Sequence, residues 1–137
     1  MIESTKIEFR YRRIGELDDL TDLVAILFPG NRNQQHAAAR ILLTLKSAKE
    51  PLSVTELEER YGISRRTLQR TRAKLARLGL IEHVSWMNSR YGGRTGWVMS
   101  SRMTGGLRKL ADRIDRWRGD TRLERQRKDQ QLVELLR

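Results

Sequence analysis

The sequence predicts a mainly α fold with one small β-hairpin. Two observations carry that expectation. Apolar residues recur at helical spacing through most of the chain, and on the clearest stripe Leu68, Thr71, Leu75 and Leu78 stand at i, i+3, i+7 and i+10. Between Leu80 and Met99 the pattern changes to β-favouring runs around a glycine-rich turn. A chain of 137 residues suggests one domain with an appendage. The segments read as an N-terminal strand or arm plus helix over 1–30, a central domain over 31–103 and a helical, basic tail over 104–137.

Residues 6–13, KIEFRYRR, alternate Ile7, Phe9 and Tyr11 with Glu8, Arg10 and Arg12, the period of a strand with one buried face. A flexible basic arm is the alternative. After Gly15, the residues Leu17, Leu20, Val24 and Leu27 form a helical stripe, widened by Leu23 and Phe28. Asp18, Asp19 and Asp22 lie in its first half, where the helix dipole favours carboxylates. No histidine or further carboxylate pattern turns them into a metal or acid–base cluster. Pro29-Gly30 ends the helix.

Residues 32–48 predict a second helix, capped by Asn31 or Asn33, with Ala38, Ile41, Leu42 and Leu45 facing inward. His36 has no evident partner and reads as structural. Pro51 marks a connection, and Ser53-Val54 can pair as a short strand. Thr55 and Glu58 have the spacing of a capping box for ELEERY, which Gly62 closes. Ile63 is a buried spacer and Ser64 an N-cap. Helix, a turn of about three residues containing glycine, and helix again make a helix-turn-helix pattern.

The second helix of that pair, within Ser64–Ile81, carries six basic side chains and no acidic one. Opposite its apolar stripe stand Arg66, Gln69, Arg70, Ala73 and Arg77, with Lys74 at the edge. A short basic helix with a flat outer face suits the DNA major groove. The alternative is a solvated surface helix. The hairpin after it has Trp86 and Trp97 as a candidate cross-strand pair, and a basic turn with Gly92-Gly93. That turn lacks the spacing of a phosphate-binding P-loop.

From Met103 the chain is helical again, with Leu107, Leu110, Ala111, Ile114 and Trp117 on one stripe. Gly119-Asp120 interrupts it, so the last segment is one long helix with a weak point or two helices. Arg122, Arg125, Arg127 and Lys128 form a further basic cluster.

The order of elements over residues 34–110 resembles the winged helix-turn-helix family. Thr67-Leu68-x-Arg70, Leu75 and Gly79-Leu80-Ile81 look like the recognition segment of MarR-type and related regulators. Met103-Thr104-Gly105-Gly106-Leu107 is similar to the Leu-Thr-x-x-Gly segment after the wing, with its glycine one place early. Arg72 stands where that family has an apolar residue, and its stem is expected to pack while its head snorkels out. The resemblance implies that the helix of 65–78 enters the major groove and that the wing, 88–96, meets the minor groove or backbone.

Charge agrees with that expectation. Lys and Arg number 28 against 17 acidic residues, a net charge of +11 that favours a polyanionic partner. Arg66, Gln69 and Arg70 are the expected base readers, since Arg suits guanine and Gln adenine. Arg65, Lys74 and Arg77 are the expected phosphate anchors. Arg90 and Arg94 are the expected wing contacts. Leu107, Leu110, Ile114 and Trp117 are the expected interface of a homodimer.

The partner is therefore expected to be double-stranded DNA, and the function that of a dimeric, sequence-specific transcriptional regulator. A DNA-organising or segregation protein of low specificity, and a winged helix that docks on a polymerase or other assembly, stay open as alternatives. No catalytic residue, metal site or cofactor is predicted: there is no Cys, and His36 and His83 form no nucleophile–base spacing. No membrane segment is expected, since no run of about 18 apolar residues exists. The N-terminus lacks a signal-peptide pattern, so a cytoplasmic, nucleoid-associated location is expected.

Overall fold

The computed structural model describes residues 5–85 and 95–137. Among them are seven helices and one two-stranded antiparallel sheet: α1 (Tyr11–Gly15), α2 (Leu20–Leu27), α3 (Arg32–Ser47), α4 (Glu56–Tyr61), α5 (Arg65–Leu78), β1 (Ile81–Val84), β2 (Gly96–Met99), α6 (Arg102–Gly119) and α7 (Leu123–Glu134). The mainly α architecture with a hairpin after α5 is that of a winged helix-turn-helix. The chain divides into two compact units, Met1–Met103 and Thr104–Arg137.

In the first unit α3 is the central element, packed against both α2 and α5. Its inner face is Ala37, Ala38, Ile41, Leu42 and Leu45, all buried. The two alanines leave room for close helix approach, while Ile41 supplies branched bulk. Asn31 caps the helix by accepting from the Gln34 N–H at 3.1 Å. Leu27 and Phe28 of the α2 end, Leu57 of α4, Leu68 and Leu75 of α5, and Ile81 of β1 complete the core.

α2 begins at Leu20, later than the apolar stripe suggests, because Asp19 forms the cap. Asp19 accepts from the Asp22 N–H at 3.2 Å, and Asp22 accepts in return from the Asp19 N–H at 3.5 Å. Asp22 also accepts from the Asp18 N–H at 3.2 Å. The aspartates thus satisfy the free donors of a helix start.

The strand expected over 6–13 does not form. One backbone bond, from Glu8 N–H to Ile26 O at 2.9 Å, ties this segment to the end of α2, and Tyr11 already begins α1. Ile7 packs against the core, but Phe9 and Tyr11 are exposed. Alternation gives a strand only where a sheet edge accepts it, and among the described residues no strand pairs with this segment.

The capping box expected at Thr55 is also absent. The Thr55 N–H donates to Ser53 Oγ at 3.3 Å, and the Thr55 side chain makes no cap bond. Glu58 instead faces Arg65 at 3.6 Å.

In the hairpin, Ile81 lies opposite Met99, Glu82 opposite Val98, His83 opposite Trp97 and Val84 opposite Gly96. Trp97 therefore has His83 as its cross-strand partner, and Trp86 lies outside the described residues. Leu52, not Ser53-Val54, makes the extra pairing: Leu52 N–H donates to Trp97 O at 3.1 Å and Trp97 N–H to Leu52 O at 2.8 Å. Gly96 permits this approach, since a Cβ there would lie 2.7 Å from Leu52 N. Ser100 and Arg102 join the hairpin to the start of α6. Ser100 Oγ donates to Glu82 at 2.9 Å, Arg102 pairs with Glu82 at 3.1 Å, and Met103 N–H donates to Gly79 O at 2.9 Å.

The second unit resolves the choice between one helix and two. Asp120 stops α6 by accepting from the Arg122 backbone N–H at 3.3 Å and from its guanidinium at 2.9 Å, and α7 starts at Leu123. Trp117 Nε1 donates to Asp129 at 3.1 Å, and Arg125 pairs with the same carboxylate at 2.9 Å. No residue of α7, or of α6, is buried.

Candidate nucleic-acid interface

The turn between α4 and α5 is set by local chemistry. Gly62 takes the left-handed conformation, φ 64°, which ends α4 without a Cβ penalty. Ile63 is buried and pins the turn to the core. Ser64 Oγ then accepts from the Thr67 N–H at 3.1 Å and starts α5. Leu68, Thr71 and Leu75 anchor α5, so its other side is turned outward as a unit. The Thr71 hydroxyl is buried without a hydrogen-bond partner among the described residues.

The outward side consists of Arg65, Arg66, Gln69, Arg70, Ala73 and Arg77, all exposed. The sequence-predicted readers Arg66, Gln69 and Arg70 therefore share one open face. The predicted anchors differ from one another. Arg65 faces Glu58 of α4 across 3.6 Å. Arg77 Nε donates to Thr5 Oγ1 at 3.1 Å. Lys74 is half-buried, with its ammonium 4.6 Å from the centre of the Phe28 ring. Burial, and secondarily the Arg77 charge, hold Lys74 below the ordinary lysine pKa range. Lys74 is thus partly occupied by the protein itself, whereas Arg66 and Arg70 stand open to solvent. Arg90 and Arg94 lie outside the described residues.

Arg72 is held against the protein, and its head packs rather than snorkelling out as expected. Its guanidinium lies 5.0 Å from the centre of the Trp97 ring on β2. His83 meets the same ring edge-on at 5.1 Å. Trp97 is therefore covered by Arg72 and His83, which links α5 to the hairpin. Sequence reasoning misses this link: an Arg in an apolar register is the only signal, and its partner depends on the β1–β2 register. Arg40, over the Tyr61 ring at 4.0 Å and within 3.3 Å of His36, ties α3 to α4 in a similar way.

The predicted interface residues Leu107, Leu110, Ile114 and Trp117 belong to the second unit. They are exposed by 44, 55, 50 and 63 %. The described residues hold no group of three or more His, Cys, Asp or Glu side chains placed to bind a metal ion. Among them, no helix is long and apolar enough to cross a membrane.

No curated protein and no solved structure matches this chain. Residues 38–84, which run from within α3 through α4 and α5 to the end of β1, match the family model of the HTH domain. The geometry and the match agree on a helix-turn-helix domain over these residues.

Proposed function

We propose that the protein is a dimeric, sequence-specific transcriptional regulator that inserts α5 into the major groove of double-stranded DNA. The observation that carries this reading is the outer face of α5. It presents Arg66, Gln69, Arg70 and Arg77 around the small Ala73, with no carboxylate on the helix, while the opposite face is fixed in the core. Arg66, Gln69 and Arg70 sit in the N-terminal half, where base edges are reached. Arg65, Lys74 and Arg77 serve the phosphates, and the wing residues Arg90 and Arg94 meet the minor groove or backbone. The resemblance of Thr67-Leu68-x-Arg70 and Gly79-Leu80-Ile81 to MarR-type regulators supports the same role.

Dimerisation gives two recognition helices for a two-fold site. The exposed Leu107, Leu110, Ile114 and Trp117 support α6 as the interface, because a contiguous apolar stripe in water marks an unfilled contact. The test is selection of bound sequences from a random DNA pool, then footprinting. A palindrome with half-sites about one helical turn apart is expected. Binding without sequence preference would favour a DNA-organising role instead.

A further inference from the structure

The segment before α2 starts beside α5. Thr5 accepts from Arg77 on the outer face of α5 at 3.1 Å. Three residues later, the Glu8 N–H holds to Ile26 O at 2.9 Å, and Ile7 packs on the core between these two ties. Phe28, just beyond Ile26, lies under the Lys74 ammonium. The segment therefore starts beside the C-terminal end of α5, at Arg77, and passes the end of α2.

Beyond these two ties lies a cluster of arginines and exposed aromatics. Phe9 and Tyr11 are 67 and 74 % exposed. With Arg10, Arg12, Arg13 and Glu16 they line an open hollow of about 700 Å³. Arg10 is paired with Glu8 at 3.1 Å, but no ion pair holds Arg12 or Arg13 among the described residues. Arg12 is instead steadied by Tyr11, whose hydroxyl accepts from Arg12 Nε at 3.1 Å. Aromatic rings beside unpaired guanidinium groups suit a sugar–phosphate backbone: the rings pack on sugars and the guanidinium groups meet phosphates.

We propose that residues 10–13, centred on Arg12 and Arg13, are a second DNA-binding element that grips the backbone flanking the site read by α5. This rests on the DNA-binding reading of α5. Reach supports it. From Thr5 to Arg13 the chain spans at most about 28 Å, less than the roughly 34 Å of one DNA turn. The arginines therefore lie within the length of one DNA turn of Arg77 on α5. Residues 5–16 carry Lys6, Arg10, Arg12 and Arg13 against Glu8 and Glu16.

The test compares the full chain with its Arg12→Ala/Arg13→Ala variant on two duplexes. One carries only the selected site and the other adds about ten base pairs, one helical turn, on each side. The wild type is expected to bind the longer duplex more tightly. The variant, whose two substitutions lie on exposed side chains, should keep the wild-type melting temperature. On the longer duplex it should lose affinity on the order of tenfold, with a salt slope smaller by about two. On the trimmed duplex it should bind as the wild type does. An unchanged slope on the longer duplex overturns the inference while leaving the α5 reading intact, provided Arg70→Ala still weakens binding to both duplexes. A wild type that binds neither duplex overturns both.

Discussion

α5 and α6 carry apolar stripes of the same spacing. On α5 they are Leu68, Thr71, Leu75 and Leu78; on α6, Leu107, Leu110, Ile114 and Trp117, again at i, i+3, i+7 and i+10. Yet Leu75 is 0 % exposed and Ile114 is 50 % exposed. The difference lies in what each helix meets within its own unit. α5 lies against α3, whose inner face is buried. α6 shares its unit only with α7, a helix on which no residue is buried. Helical periodicity states that a face exists; the surroundings decide what covers it. In α5 the covered face fixes the direction of the basic one. In α6 the uncovered face is the basis for proposing a second copy.

The contrast is broken most sharply by truncating one residue on each stripe. Leu75→Ala is expected to cost about 2–5 kcal/mol of stability, the range for emptying a core site. Ile114→Ala should leave the unfolding of the monomer within about 0.5 kcal/mol, as exposed substitutions do. Its effect should appear in self-association measured by sedimentation. Equal losses in denaturant unfolding at low protein concentration would mean that the α6 stripe is covered within the monomer.

The next effect concerns the end of α5. Gly79 has φ 86°, and a Cβ there would lie 2.8 Å from Met103 N. Gly79→Ala is expected to cost about 1–3 kcal/mol through backbone strain, and more if the start of α6 must shift. Thermal unfolding checks it. A smaller change of opposite sign is expected at Thr71, the one polar residue on the buried stripe. Thr71→Val keeps the shape and removes an unpartnered hydroxyl, so a gain of about 1 kcal/mol is expected. A loss would show that the hydroxyl has a partner after all.

The smallest effect is at the start of α2. The Thr21 hydroxyl, then the Asp22 N–H, hold the Asp19 carboxyl below the ordinary aspartate range. Its folded pKa is depressed, so its contribution is present above the ordinary value of about 3.9. It is lost as pH falls through the lower folded value. Asp19→Asn can still cap but does not titrate. Its unfolding midpoint should therefore fall less than that of the wild type between neutral pH and about pH 3. Parallel curves would remove Asp19 from the acid response.

Where the sequence was legible, the signals were local. Gly62, Ile63 and Ser64 are three adjacent residues whose own chemistry ends one helix and starts the next, and the outward face of α5 results from them. Asn31 and Pro29-Gly30 act in the same way at α3. The failures share a different cause. Ile7, Phe9 and Tyr11 alternate like a strand, but no described strand pairs with them, and only Ile7 finds the core. Thr55 has the spacing of a capping box, but Ser53 captures its backbone N–H first. The contacts of Arg72 with Trp97 and of Arg77 with Thr5 join residues distant in the chain, so they depend on packing that spacing alone does not express. Lys74, read as an edge residue, is drawn half inside by the Phe28 ring.

The central claim is that the outer face of α5 binds DNA, and the most direct measurement is the salt dependence of duplex binding by wild type and Arg70→Ala. With roughly six phosphate contacts, a wild-type slope of log K against log salt of about −5 is expected. Arg70→Ala, as a base reader, should cost about 1–3 kcal/mol on the selected sequence and far less on random DNA. Equal losses on selected and random sequence would reassign Arg70 to the backbone. No loss on either would contradict the claim.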